Sequence, residues 1–245
     1  MQYGKFATIY DLLMRDVPYD AWADYVIKML DGCQTVLECA CGTGEITYRL
    51  AKAGFDVIAA DISDDMLRIA TEKLRSMGGL SKRVHFIQMD MQRIVLHKPV
   101  DCVICCCDGV NYLTSDRAVQ RFFNAAYSSL KPNGILLFDI SSRYRLSTDL
   151  GCTTFFETGQ DASYIWQNTY DDAAKLIKME LTFFKKQAAL YERFDETHVQ
   201  RAHSLKEIMS WLDKCGFDAT AYDCFTQNPP MPNSERIQFF SRKRL

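Results

Sequence analysis

The chain has 245 residues, of which 48% are hydrophobic, and its formal net charge is −2. This length fits one large domain with a sizeable core, and the charge balance gives no overall basic field for a nucleic-acid partner. No signal-peptide pattern opens the chain, and no apolar run reaches the roughly 18 to 20 residues of a membrane span. We therefore expect a cytoplasmic protein with no membrane partner.

The first part of the chain alternates helix-like and strand-like segments. After a helical pattern over residues 18–31, five apolar runs indicate strands at 35–39, 56–61, 83–90, 100–108 and 134–140. Helical patterns lie between most of them, at 44–53, 64–77 and 116–130. Ser63 is the expected N-cap of the helix over 64–77. Continuous apolar strands that alternate with helices are typical of a parallel sheet covered on both faces.

The spacing of the apolar residues changes after about residue 145. Strand-like segments follow one another up to residue 201 with no helix between them, and residues 171–175 resemble a hairpin turn. A helix from Ser204 to Cys215 and two further strands complete the chain. The pattern predicts an α/β fold with a seven-stranded, mostly parallel sheet and helices on both faces. We expect this domain to span 1–145 and 202–245, with an antiparallel β insert at 146–201 covering a substrate pocket.

The ten cysteines invite a search for disulfides or a metal site. Cys102 and Cys105 form a C-x-x-C pair, but residues three apart on a strand point to opposite faces. No second pair or nearby histidine completes a metal site. We expect free, buried thiols and no metal, with Cys39 and Cys41 serving as packing residues.

Acidic residues lie at the carboxyl ends of the first four predicted strands: Glu38, Asp61, Asp90 and Asp108. Ligands of open α/β sheets bind at the carboxyl ends of the strands. Any one acid could cap a helix or a turn. Four acids after four separate strands favour a ligand site.

The loop A-C-G-T-G at residues 40–44 matches the dinucleotide-binding pattern G-x-G-x-x-G only loosely. Glu38 beside it would repel a pyrophosphate, since two like charges at roughly 4 Å and an effective dielectric near 20 cost about 4 kcal/mol. S-adenosylmethionine carries an ammonium and a sulfonium and no phosphate. Asp61 would accept from its ribose hydroxyls, and Asp90 from its adenine amino group. An oxidoreductase that binds NAD is a weaker alternative.

The segments V-L-E-C-A-C-G-T-G-E, A-A-D-I-S, Q-M-D-M and D-G-V-N-Y-L resemble, in order, the motifs of class I S-adenosylmethionine-dependent methyltransferases. The resemblance covers about residues 3–140, and the β insert and the closing S-E-R-I-Q-F-F are similar to a bacterial subgroup. It implies a Rossmann-like fold, S-adenosylmethionine as cofactor and S-adenosylhomocysteine as product. The cofactor contacts it implies are Glu38, Ala40, Gly42, Gly44, Asp61, Ile62, Met66, Asp90, Met91 and Asp108. Ala40 stands where a glycine is more usual.

The aromatic residues near the N-terminus have two interpretations. The resemblance implies that this segment folds over the cofactor, with Tyr3, Tyr10 and Trp22 as contacts. Aromatic faces attract sulfonium-like cations by roughly 0.5 to 2 kcal/mol. The alternative is that these rings form the apolar faces of two helices, which we favour for Phe6 and Tyr19.

Methyl transfer needs alignment first and a base only when the nucleophile starts protonated. His198, on a segment where Glu196, His198 and Gln200 share one strand face, is a candidate base, and Asp108 is a second catalytic candidate. Tyr112, Glu196 and His198 are candidates for the substrate pocket. A polar strand face exposed to solvent is the alternative for this segment.

We expect the acceptor to be a small molecule with an N or O nucleophile. One alternative is an RNA or protein substrate, for which basic residues would form a patch: Lys185, Lys186, Arg193, Arg201, Arg242, Lys243 and Arg244. Another is a non-catalytic protein that binds S-adenosylmethionine. The acidic balance makes nucleic acid the less favoured partner, and the sequence is compatible with a monomer or a homodimer.

Overall fold

The computed structural model describes residues 4–245, with side chains from residue 6 onward, so Tyr3 lies outside the described residues. The described helices are α1 (Gly4–Leu13), α2 (Tyr19–Met29), α3 (Glu45–Lys52), α4 (Asp64–Met77), α5 (Asp116–Ser129) and α6 (Leu205–Lys214). The strands are β1 (Thr35–Cys39), β2 (Asp56–Asp61), β3 (Val84–Gln88), β4 (Val100–Cys105), β5 (Leu130–Ser141), β6 (Thr154–Thr158), β7 (Ala162–Asp171), β8 (Leu176–Gln187), β9 (Leu190–Arg201), β10 (Phe217–Asp223) and β11 (Arg236–Lys243).

The seven-stranded sheet has the order β10-β11-β5-β4-β1-β2-β3. Strand β11 runs antiparallel to both of its neighbours, and the other pairings are parallel. Helices α2 and α3 pack on one face of this sheet and helices α5 and α6 on the other. The predicted α/β fold with a seven-stranded, mostly parallel sheet and helices on both faces is confirmed.

Local sequence signals fix several helix ends. The Ser63 side chain accepts a hydrogen bond from the Met66 N–H, as its predicted N-cap role requires. At the start of α6, Ser204 and Glu207 form a reciprocal capping box, which satisfies two backbone donors at once. These caps set where the loops at the carboxyl edge of the sheet begin.

The insert is a separate four-stranded antiparallel sheet in the order β6-β7-β8-β9. Its inner face carries Ile177, Met179 and Phe183, which pack with Phe6 of α1 and Met66 of α4. The insert therefore holds α1 against the rest of the molecule. A single helical turn, Arg145–Asp149, precedes the four-stranded sheet, where the sequence pattern indicated no helix.

Three strand ends differ from prediction. Strands β3 and β4 stop at Gln88 and Cys105, so Asp90 and Asp108 lie in the turns beyond them. Strand β5 begins at Leu130, before the turn-like residues 132–134, because Leu130 pairs with Val100 and the register then shifts. A bulge thus carries residues that are poor strand formers.

The cysteines of the described residues form no disulfide bond. All ten cysteines are free thiols, and Cys102 and Cys105 pack on opposite faces of the sheet, as their spacing predicts. Within residues 4–245, no helix is both long and apolar enough to cross a membrane. In the same part of the chain, no group of three or more His, Cys, Asp or Glu side chains is placed to hold a metal ion.

Candidate functional site

The loop after β1 turns sharply through left-handed backbone. Ala40, Gly42 and Gly44 have φ angles of 55°, 54° and 83°. A Cβ on Gly44 would lie 2.8 Å from the Tyr48 ring, whereas a Cβ on Gly42 would meet no atom within 4 Å. Gly44 is therefore required by packing. Gly42 leaves an open cradle at the backbone, and this is the feature a bound cofactor needs.

Asp61 holds this loop in place. Its carboxylate accepts the Gly42 N–H at 2.8 Å and the Ser63 N–H at 2.9 Å, and its side chain is buried at the end of β2. Burial raises the pKa of Asp61, while the backbone hydrogen bonds act in the opposite direction. A carboxylate can accept about four hydrogen bonds, so Asp61 keeps some capacity for a ligand hydroxyl. Asp61 can thus position the loop and still bind a diol.

Glu38 lies beneath the loop and is 3% exposed. It accepts a hydrogen bond from the Thr47 hydroxyl on α3. Burial raises the pKa of Glu38 to about 8, with a further contribution from the nearby Asp61 carboxylate. We expected Glu38 to be an anion that repels phosphate. This expectation needs correction for the cofactor-free protein, because a carboxyl with this pKa is largely protonated at neutral pH. We call Glu38, Gly42, Thr47 and Asp61 the Asp61 cluster.

Four further residues are implied as cofactor contacts: Ile62, Asp90 and Met91 lie on turns after β2 and β3, and Met66 lies in the first turn of α4. Asp90 accepts the Gln92 N–H at 2.8 Å and so caps the short turn that contains Met91. Ile62 is exposed, whereas Met66 is buried beneath α1. Capping explains the position of Asp90 in this structure, and its role toward adenine stays a prediction.

Asp108 belongs to a second group of polar side chains. Its Oδ1 pairs with Arg236 Nη2 at 2.9 Å, and its Oδ2 accepts from Gln200 Nε2 at 2.7 Å. Arg236 also pairs with Asp139, whose side chain is fully buried in β5. Burial raises the pKa of Asp139 to about 6, and the Arg236 guanidinium opposes that rise. We call Asp108, Asp139, Gln200 and Arg236 the Arg236 cluster.

The strand face of His198 is buried, so the alternative of a solvent-exposed face is wrong for His198 and Gln200, which are 3% and 4% exposed. The His198 ring lies 5.3 Å from the Phe6 ring and 6.0 Å from the Tyr112 ring. Burial lowers the pKa of His198 to about 4, which leaves the imidazole neutral at pH 7. Glu196, two residues earlier, is half-buried.

Helix α1 closes over the loop. Asp11 Oδ1 accepts from the Thr43 hydroxyl at 2.6 Å, and Asp11 Oδ2 pairs with Lys73 of α4 at 2.7 Å. Burial raises the pKa of Tyr10, with smaller contributions from neighbours that include Tyr19 and Asp108. Tyr10 thus lies near Asp108 of the Arg236 cluster. Trp22 packs edge-on against Phe225 at 4.9 Å, at the side of the site.

Comparisons with known proteins agree with this arrangement. The family described as "Methyltransferase domain" matches residues 36–134. The chain is 38% identical to the Bacillus subtilis protein named "Putative methyltransferase YqeM", over 99% of this chain and 98% of that protein. The chain belongs to the class I S-adenosylmethionine-dependent methyltransferases.

Two further similar proteins match different shares of the chain. The crystal structure of an S-adenosylmethionine-dependent methyltransferase from Clostridium acetobutylicum superimposes with a TM-score of 0.89 at 31% identity, and each chain is covered to 99%. A glycine/sarcosine N-methyltransferase of Halorhodospira halochloris is 32% identical over 53% of this chain and 48% of its own length. The Clostridium structure covers the whole methyltransferase, insert included.

The sequence of this methyltransferase does not indicate Asp139 and Arg236, two of the four residues of the Arg236 cluster, or a buried amide beside them. Asn111 is fully buried, its amide nitrogen donates to Ser141 O at 3.0 Å and Arg201 O at 2.9 Å, and its oxygen accepts the Ser141 N–H. This amide ties the end of the insert to the main sheet. Asn111 stands in the quoted segment D-G-V-N-Y-L, but no local pattern indicates its distant partners.

Proposed function

We propose that this methyltransferase transfers a methyl group from S-adenosylmethionine to an N or O nucleophile of a small molecule. The observation that carries the proposal is the Gly42 cradle, which the Asp61 carboxylate holds open above the buried Glu38. The residues fit the cofactor, because a hydroxyl acceptor and a carboxyl suited to an ammonium flank the same loop. Class I membership supports the same cofactor.

Bound S-adenosylmethionine supplies a methyl group activated by the positive sulfur, and the chain supplies alignment. Good orientation can remove roughly 7 to 11 kcal/mol from a barrier. Loop 40–44 and Asp61 would fix one reactant, and α1, latched through Asp11 and Thr43, would exclude water. We place Glu38, Ala40, Gly42 and Gly44 at the methionine end and Asp61 at the ribose. Asp90 and Met91 are placed at the adenine.

The acceptor side is proposed to lie beyond Asp108, with residues 146–201 as its cover and 1–145 with 202–245 as the cofactor domain. The Gln200–Asp108 hydrogen bond supports this division, because it brings the insert to the end of β4. Tyr112 and His198 would line the pocket. The low pKa of His198 keeps it able to accept a proton but makes it a weak base.

An RNA or protein substrate finds less support. Arg201 is buried and pairs with Asp116 and Glu207, and Lys243 donates to the carbonyls of Tyr127 and Leu130. These cations hold the fold together and do not form an open patch. The glycine/sarcosine N-methyltransferase among the relatives favours a small acceptor.

Calorimetry with S-adenosylmethionine, S-adenosylhomocysteine and NAD tests the cofactor. We expect both sulfur compounds to bind and NAD to give no heat of binding, and binding of NAD alone would contradict the proposal. A metabolite pool incubated with labelled methyl donor then tests transfer. Label should appear in a small molecule with the native protein and not with Asp61→Ala.

A further inference from the structure

A cleft of about 770 Å³ opens beside the Arg236 cluster. It lies between the α1–α2 connection and the β10–β11 connection. Its apolar walls include Leu13, Val17, Trp22, Phe225 and Met231. This volume is within the range of small-molecule sites, which combine apolar walls with a few polar groups.

The cleft is linked through Asp108 to the beginning of loop 40–44, although no residue of that loop lines it. Arg236 lines it and pairs with Asp108 at 2.9 Å. Gly109, the next residue, lies against the loop, since a Cβ placed on it would be 3.2 Å from Ala40 Cβ. A molecule on Arg236 would therefore be separated from Ala40 by Asp108 and Gly109.

The charges around the cleft do not balance. Arg236 is compensated by Asp108 and Asp139, and Arg145 by Glu235. Asp223 also lines the cleft, accepts the Cys224 N–H at 3.0 Å, and has no cationic partner among the described residues. Asp16 at the mouth is 3.9 Å from Arg15, and both side chains are exposed. The cleft thus combines apolar walls, two aromatic rings and an excess of negative charge.

We propose that this cleft is the outer part of the acceptor site, joined through Asp108 to the pocket proposed at Tyr112 and His198, and that it selects a small organic amine that carries an apolar group. The inference rests on the proposed function. The amine enters as its cation beside Asp223 and loses one proton to solvent. Its nitrogen lone pair then forms the bond to the methyl carbon while the methyl–sulfur bond breaks with its electrons on sulfur. The products are the N-methylated ammonium and the neutral thioether.

Three probes of one shape test the charge selection: cyclohexylmethylamine, cyclohexylmethanol and cyclohexanecarboxylate. They share an apolar ring and differ in charge, and they do not absorb where tryptophan does. Each is titrated into protein saturated with S-adenosylhomocysteine while tryptophan fluorescence is followed. We expect the amine to bind at least about tenfold more tightly than the carboxylate. The signal should be lost in Trp22→Phe, since Trp22 lines the cleft.

The matched variants are Asp223→Asn and Asp218→Asn, two acids of the same strand, of which only Asp223 lines the cleft. Asp223→Asn should weaken the amine several-fold and leave the alcohol unchanged, and Asp218→Asn should change neither. Equal or tighter binding of the carboxylate would overturn the proposal, as would equal effects of the two variants. If S-adenosylhomocysteine itself fails to bind, the proposed function fails. If it binds and no probe changes the Trp22 signal, only the cleft assignment fails.

Discussion

The Asp61 cluster and the Arg236 cluster lie side by side at the carboxyl edge of the sheet, but the chain builds them differently. In the first, the carboxylate and the loop N–H it accepts are 19 positions apart and belong to neighbouring parallel strands. In the second, Arg236 reaches Asp108 across 128 positions, and Gln200 arrives from the insert. The first follows from a β-loop-α-β unit, whereas the second exists only after the insert and β11 have docked.

Their electrostatics differ as well. The Asp61 cluster holds two buried carboxyls, and among residues 4–245 no cation pairs with either, so the pKa of each is raised. The Arg236 cluster holds two carboxylates that one guanidinium compensates. A cationic ligand would compensate the carboxyls of the Asp61 cluster, whereas Arg236 already compensates those of the Arg236 cluster. Under the proposed function, the first cluster would therefore bind the cationic ligand, and the second would support the walls of the acceptor pocket.

The largest effect is expected from removing the cation of the Arg236 cluster. Arg236→Met leaves the buried Asp139 without its cation, and removing one partner of a buried ion pair costs about 3–5 kcal/mol. Urea unfolding of the cofactor-free protein measures this loss. Arg145→Met removes the exposed pair with Glu235 and should cost less than about 1 kcal/mol.

A double variant makes this prediction sharper. Asp139→Asn added to Arg236→Met should restore much of the lost stability, because no uncompensated carboxylate is left in β5. If the two single changes were additive, the ion pair would not be the source of the stability, and the contrast between the clusters would lose its basis.

The next effect concerns ligand binding to the Asp61 cluster. Asp61→Asn weakens the acceptor of the Gly42 N–H and of the proposed ribose hydroxyls, and hydrogen bonds to charged groups contribute about 1.5–3 kcal/mol each. We expect S-adenosylhomocysteine to bind about 100-fold more weakly by calorimetry. Asp56→Asn, an exposed change on the same strand, should leave binding unchanged. Equal losses in both variants would remove Asp61 from the site.

The sequence predicts Glu38, Gly42 and Asp61 of the Asp61 cluster because each of them has a local signal, whereas Thr47 has none. An apolar run ends at Glu38, glycines follow, and a second run ends at Asp61, so strand order alone brings them together. The Arg236 cluster offers no such signal. Asp139 stands inside an apolar run, Arg236 opens the last strand, and their pairing depends on the antiparallel register of β11 against β5. The burial of Glu38, which raises its pKa, could not be predicted either, because the spacing of apolar residues does not show how far a side chain lies below the surface.

That raised pKa predicts a pH dependence in the cofactor-free protein. The Glu38 pKa is about 8 when folded and near 4.5 when unfolded, so the folded state holds the proton more tightly. The stability from this group is complete below pH 4.5 and is lost as pH rises toward 8. Glu38→Gln stays neutral, so its stability relative to wild type should rise by a few kcal/mol between pH 5 and 8, at about 1.4 kcal/mol per pKa unit.

Urea unfolding at both pH values measures the difference, and Glu45→Gln supplies a control with no slope. Lys73 and Arg49 outweigh burial and lower the pKa of Glu45 below 4.5, so this carboxyl is ionised in both the folded and the unfolded chain above pH 5, and the stability of that variant relative to wild type should stay constant between pH 5 and 8. Parallel pH profiles of Glu38→Gln and wild type would show that Glu38 is ionised in the folded protein. Glu38 would then lack the raised pKa that is expected of a carboxyl buried without a cation.

The smallest effect tests the latch that α1 places on the Asp61 cluster. Thr43→Val removes the hydroxyl that donates to Asp11 but keeps the shape of the side chain, at about 0.5–1.5 kcal/mol for one hydrogen bond. If α1 covers the bound cofactor, S-adenosylhomocysteine should dissociate a few-fold faster in stopped-flow measurements, with a nearly unchanged association rate. Thr71→Val removes a hydroxyl that bonds only within α4 and should leave both rates unchanged. A slower association with unchanged dissociation would mean that the Thr43–Asp11 contact organises the empty loop and does not retain the ligand.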